Sequence, residues 1–144
     1  MVLAKFPVST LIKTLFSEQT SGEVKIGMRA FLFGTVGYPI LELLYRRRTH
    51  YSMAIAGGLS MLLIQHMSRL NVSTTKKAIL SGCGITAIEY LCGLIWNKRY
   101  KVWDYRHMPY NIHGQICLPY TMLWCVLSAI VLKIECQIKK QLAE

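Results

Sequence analysis

The stretch Ala78–Trp96, AILSGCGITAIEYLCGLIW, is an apolar run whose sole charged residue is Glu89. Lys76 and Lys77 stand before it, Lys98 and Arg99 after it. At about 1.5 Å rise per residue, a helix over this run matches a bilayer hydrocarbon core of about 30 Å. Basic residues at both ends are placed to meet lipid headgroups. This segment therefore reads as a transmembrane helix, and the rest of the chain follows from it.

Three further runs have comparable character. Ile26–Tyr45 stops at Arg46, Arg47 and Arg48; Tyr51–Met67 is the shortest; Gln115–Ile134 is followed by Lys139 and Lys140. The expected fold is all-α: a polytopic membrane protein of four transmembrane helices, at about 26–45, 51–67, 78–96 and 115–134. The 144 residues suffice for a single membrane domain, 1–144. The short connection after the first run predicts a tight antiparallel hairpin between the first two helices.

Composition agrees. Hydrophobic residues make up 53% of the chain and mean hydropathy is +0.33, above a typical soluble domain. The net charge of +10 would suggest nucleic acid on a soluble protein. Here the basic residues lie between apolar runs, so the partner is the lipid bilayer and no nucleic acid is expected. Ten basic residues fall on the side of the termini and middle loop, against seven on the other. That balance favours cytoplasmic termini, whereas the compact Arg46–Arg48 cluster argues the reverse.

Residues 1–24 hold Leu11, Ile12, Leu15 and Phe16 at helical spacing, with Ser9 or Thr10 as a cap. They predict an amphipathic, interfacial segment. Pro7 and Lys13 interrupt any signal-peptide core. The five cysteines form no CxxC pair and read as small apolar fillers. No zinc, phosphate-cradling or nucleophile-elbow motif occurs, so neither metal nor cofactor is expected.

Each run carries small or polar residues on one helical face: Gly34, Tyr38 and Glu42; Ala54, Gly58, Met61 and Gln65; Gly82, Thr86, Glu89 and Gly93; Thr121, Cys125 and Ser128. In lipid such faces bring helices together, and packing alone suffices for Gly58, Thr121 and Ser128. Glu42 and Glu89 differ, because a carboxylate near the bilayer centre costs about 2.5–3.5 kcal/mol on insertion scales. Glu42 lies one turn from Arg46, within ion-pair reach.

Before the last run comes VWDYRHMPYNIHGQICLPYTMLW, Val102–Trp124, too polar for lipid and too rich in special residues for a plain linker. Irregular polar backbone at a membrane boundary lines a cavity or a site. With four spans, Glu42, Arg46, Thr49, His50, Asp104, His107, Asn111 and His113 collect at one membrane face, with Glu89 beneath them. That set suits proton handling, ion coordination or an anionic headgroup, or else a hydrogen-bonded plug tying loop to helix ends.

Gly37–Gly58, GYPILELLYRRRTHYSMAIAGG, together with Glu89, Gly93, Asn97 and the Val102–Trp124 block, resembles the family called "putative ABC-transporter type IV", small membrane proteins of Gram-positive bacteria. The resemblance covers roughly 28–132. It adds Trp103, Tyr105 and Gln115 to Glu42, Arg46, Thr49, His50, Glu89, Asp104 and Asn111 as the candidate substrate- or ion-binding or structural cluster. Arg106 stands where the family has Ser, which changes the charge there, and Tyr51 replaces a Trp.

The resemblance implies a permease-like transport component in the bacterial cytoplasmic membrane, crossing it several times and working as a homo-oligomer or with an ATPase or other membrane partner. Two alternatives stand beside it. One is a membrane-embedded enzyme or lipid-binding protein using the Glu/His/Asp cluster. The other is an accessory membrane protein without a substrate.

Overall fold

The computed structural model describes the backbone of residues 8–141 and the side chains of 22–138 and 141. Among these residues the chain is helical, with one short β ribbon. The helices are α1 (Val8–Arg46), α2 (Tyr51–Ser68), α3 (Thr74–Trp96) and α4 (Leu118–Gln141). The ribbon pairs β1 (Asn111–Ile112) with β2 (Ile116–Cys117), antiparallel, with Asn111 opposite Cys117.

The all-helical expectation holds, and the boundaries shift for identifiable reasons. α1 spans 39 residues without a break, so the segment before Ile26 continues the same helix. At about 1.5 Å per residue it is roughly 58 Å long, nearly twice a hydrocarbon core. Its face of Leu11, Ile12, Leu15 and Phe16 lies outside the described side chains. Pro39 sits inside α1; it has no N–H for the Thr35 carbonyl, an interruption that membrane helices tolerate.

α4 begins at Leu118 rather than Gln115, because residues 116–117 are engaged in the ribbon. Pro119 then occupies its first turn, where a missing N–H costs nothing. α3 begins at Thr74, ahead of Ala78, with the Ser73 side chain accepting from the Lys76 N–H at 3.4 Å.

α3 (Thr74–Trp96) and, on α4, Leu118–Ile138 are long and apolar enough to cross a membrane. α1 and α2 are more dilute: α2 carries Tyr51, Ser52, Ser60, Gln65, His66 and Ser68 in 18 residues. Many large apolar side chains nevertheless face outward from all four helices, among them Phe33, Val36, Leu44, Leu59, Leu91 and Val126. Apolar exposure on this scale marks a surface that another apolar phase covers.

The helices follow one another in space as in sequence: α1 packs on α2, α2 on α3 and α3 on α4, while α1 and α4 hardly touch. Glycine sets the closest approaches. A Cβ on Gly34 would come within 2.7 Å of the Gly57 carbonyl carbon, and one on Gly57 would run into Tyr38, so α1 and α2 meet backbone to backbone. Between α3 and α4, a Cβ on Gly82 would lie 2.7 Å from the Cys125 backbone nitrogen. One turn on, the hydroxyls of Thr86 and Thr121 are 3.0 Å apart. Gly58, Thr121 and Ser128 thus all lie in helix contacts, Ser128 fully buried.

Two buried clusters stabilise the bundle. Ile64, Ala78, Ile85 and Leu132 fill one end; Met53, Ala56, Cys92, Trp103, Tyr105 and Cys117 fill the other. The second cluster matters for function, since Trp103 and Tyr105 belong to the loop before α4. That loop folds back into the end of the bundle.

Candidate functional site

The loop end is organised by one amide. Asn97, at the C-cap of α3 and 1% exposed, accepts the Val102 N–H at 2.9 Å and donates to the Trp103 carbonyl at 2.6 Å. It also donates to Gln115 Oε1 at 2.9 Å, and Gln115 Nε2 donates to the Asn97 carbonyl at 3.1 Å. The Trp103 indole N–H donates to the Gln115 carbonyl at 2.8 Å. A polar helix end, a loop and the ribbon turn thereby satisfy one another. Gly93 makes room: a Cβ there would lie 2.9 Å from Gln115 Cδ.

Glu89 lies deeper, 4% exposed. Tyr105 OH donates to its Oε1 and the Trp124 indole N–H to its Oε2, each at 3.1 Å. Tyr105 in turn stacks on Tyr120, with ring centroids 4.6 Å apart. Burial, followed by the neighbouring Glu89 carboxylate, holds the Tyr105 phenol well above its ordinary pKa. The phenol so held keeps its proton and donates it to Glu89. Loop, α3 and α4 meet at this carboxylate.

Glu42, Arg46 and Thr49 form a separate group at the end of α1. Arg46 pairs with Glu42 one turn away, and the Thr49 hydroxyl donates to Glu42 Oε2 at 3.0 Å. Arg46 Nη1 also donates to the Val102 carbonyl at 3.2 Å, which ties α1 to the loop. Arg47 closes the helix in the left-handed region, at φ +57°, and its N–H donates to the Leu43 carbonyl.

Asp104 and His50 face elsewhere. Asp104 accepts from the Arg106 N–H at 3.0 Å, from Nε at 2.9 Å and from Nη2 at 2.7 Å, on the outside of the loop. The Arg106 hydrogen bonds push its carboxyl down to about 2. The guanidinium lies 4.2 Å over the Tyr100 ring. The Arg that replaces the family Ser thus clamps its own loop. His50 caps α2: its Nδ1 accepts the Ser52 N–H at 3.3 Å and lies 2.8 Å from the Ser52 hydroxyl. Asn111 shapes the ribbon turn, donating to the Met108 carbonyl at 2.9 Å and accepting the Gly114 N–H at 3.1 Å.

The candidate residues therefore divide. Trp103, Tyr105, Gln115 and Glu89 form a buried core; Glu42, Arg46 and Thr49 form a second group linked to it through Val102; Asp104, Asn111 and His50 serve local turns and caps. Asn97, Trp124, Tyr38 and Tyr120 were not among the candidates, although Asn97 and Tyr120 carry or flank key contacts. The available signal was an amide set directly after an apolar run, at Trp96–Asn97. Among the described residues no three His, Cys, Asp or Glu side chains converge as a metal site would require.

Beside this core, between α1 and α4, lies a cleft of about 230 Å³ lined by Glu42, Arg46, Tyr38, Tyr45, Tyr105 and Tyr120 on its polar side. Leu41, Leu123, Trp124 and Leu127 complete it. Of the candidates, Glu42, Arg46 and Tyr105 reach open space here.

Residues 31–143, which contain both the α1 cluster and the whole loop, match the family described as "putative ABC-transporter type IV". The chain belongs to that family. No curated protein and no solved structure matches it. Membership and the two apolar helices together point to the membrane and to an ABC-transporter-related role. Within the matched region, side-chain hydrogen bonds cluster in the locked loop.

Proposed function

We propose that this chain is a multi-pass subunit of a transporter assembly in the bacterial cytoplasmic membrane, with all four helices crossing the bilayer. Family membership and the outward-facing apolar side chains of α1 and α2, as well as of α3 and α4, support this reading. In it, α1 extends beyond the hydrocarbon core, and its first turns lie at the interface or above it.

One observation carries the subunit role. The amides and carboxylate at the loop end, Glu89, Asn97 and Gln115, are committed to Trp124, Tyr105, Trp103 and each other. A polar path through these four helices would have to break that core. Transport accordingly depends on a second copy or a partner, and the chain contributes a rigid wall with a side cleft. An ATPase is the partner that the family description favours.

The enzyme alternative needs Glu42, His50, Glu89, Asp104 and His107 in one pocket. Glu89 instead lies buried between helices, His50 caps α2, and Asp104 faces outward to Arg106. The accessory alternative shares the locked core and differs in lacking a transporter partner.

Affinity purification of the tagged chain from native membranes in mild detergent tests the proposal. Co-purification of an ATPase subunit, or a stable oligomer of the chain, is expected. Recovery of the monomer with neither overturns it.

A further inference from the structure

The cleft between α1 and α4 narrows at Tyr38 and Trp124, whose ring centroids are 5.4 Å apart, and opens again beyond them. A second cavity, of about 150 Å³, continues it along the same two helices, sharing Tyr38, Leu41, Trp124 and Leu127 with the first. Its walls are mostly apolar: Phe33, Gly37, Met61, Ile64 and Val131 line it, with Ser60 and Ser128 the hydroxyls among them. From Phe33 to Arg46 the groove follows α1 for about 20 Å, more than half of a hydrocarbon core of about 30 Å. It is therefore graded, with charge and phenols at the membrane face and a hydrocarbon-lined trough below.

The mouth itself holds the Glu42–Arg46 pair, and the cationic residues are those that follow it in the chain. Arg46 has Glu42 as its partner, whereas Arg47 and Arg48 are exposed and enter no ion pair among the described residues. Lys98, Arg99 and Lys101, all exposed, extend the positive field on the same side. Asp104, the carboxylate of the loop, is already held by Arg106.

We propose that the α1–α4 groove binds an anionic phospholipid, with the phosphate at Arg46–Arg48 and an acyl chain in the trough beside Gly37 and Leu127. A lipid answers all three features together: the polarity gradient, the cationic residues beside the mouth and the lateral opening. A soluble anion would leave the trough bare, and a helix from a second copy would leave the arginines without a counter-charge. The site rests on the membrane reading above, which detergent-dependent extraction of the chain tests by itself.

Two variants separate the ends of the site. A Cβ on Gly37 meets nothing within 4 Å and Gly37 lines the trough, so Gly37→Phe is the variant chosen to fill it. R47Q together with R48Q removes the charge beside the mouth while leaving the Glu42–Arg46 pair intact. The full chain, purified in detergent, is delipidated and titrated with phosphatidylglycerol or phosphatidylcholine, and retained lipid is read by native mass spectrometry.

The expected result is one retained phosphatidylglycerol per chain and a clear preference over phosphatidylcholine. Each arginine removed should lower that preference about fivefold, and Gly37→Phe should abolish retention with the protein still folded. Equal retention of the two lipids overturns the proposal. So does Gly37→Phe binding as the wild type does, which would mean surface attraction only, or a lipid-free dimer of the chain, which would mean that protein fills the groove.

Discussion

Asn97 and Gln115 hold each other in a reciprocal pair: the Asn97 amide donates to the Gln115 side chain at 2.9 Å, and the Gln115 amide returns to the Asn97 carbonyl at 3.1 Å. Eighteen residues apart in the chain, they close the loop over the end of the bundle. With Trp103 locked on the same two residues, the loop has a defined conformation.

Removing either amide leaves buried partners unsatisfied. Asn97→Ala and Gln115→Ala should each destabilise by about 1–3 kcal/mol. Because they belong to one network, the double variant should lose less than the sum. Thermal unfolding in detergent checks both statements; full additivity would refute the network.

Gly93 and Gly37 should respond oppositely to alanine. Both sit in helix interiors, where alanine is intrinsically better by about 1 kcal/mol. At Gly93 the new methyl would stand 2.9 Å from Gln115 Cδ, so overpacking of about 1–3 kcal/mol outweighs the gain. At Gly37 it meets open space and the gain remains. Melting temperatures of the two variants should move in opposite directions.

Glu89 distinguishes a structural carboxylate from a proton-handling one. Glu89→Gln keeps an acceptor for the Trp124 indole but turns its amide towards Tyr105, whose O–H then loses its acceptor, so folding should weaken by about 1 kcal/mol. Glu89→Leu strands both donors and should cost about 1–3 kcal/mol. If transport or partner binding survives Glu89→Gln, the carboxylate acts as a bridge between helices; its loss with folding intact would assign it a proton.

Asp104 gives the loop a predictable response to acid. Its folded pKa of about 2 lies below the ordinary 3.8. The Arg106 clamp therefore contributes fully above about pH 4 and fades as pH falls through the folded value. Carboxyl NMR titration should report the depressed value in the wild type, and Arg106→Gln should return it towards the ordinary one.

Much of the framework was legible beforehand. The run Ala78–Trp96 announces its helix because unbroken apolarity between basic ends has one inexpensive environment. Gly34, Gly58 and Gly82 mark helix contacts because small residues at helical spacing permit close approach. The i, i+4 spacing of Glu42 and Arg46 likewise foretells their pair. By contrast, Gln115 reads as the start of a helix, since nothing local distinguishes it from the apolar residues that follow. Only the pairing of Asn111 with Cys117 places it in the turn of a ribbon, ahead of the helix.

What the sequence by itself determined is the local inventory: apolar helices, their basic ends, and a polar segment that neither lipid nor a plain linker would hold. Hydropathy, spacing and capping are properties of neighbours along the chain, so they can be read there. Which polar residues meet was decided only by the tertiary structure. His50 and Asp104, grouped with Glu89 by topology, turn to a cap and an outer clamp. Glu89 finds Tyr105 and Trp124 across 16 and 35 residues. The same is true of the groove, which exists because α1 and α4 hardly touch. Contacts across such separations depend on how far each helix is rotated and displaced against the others, and no short stretch of sequence encodes that.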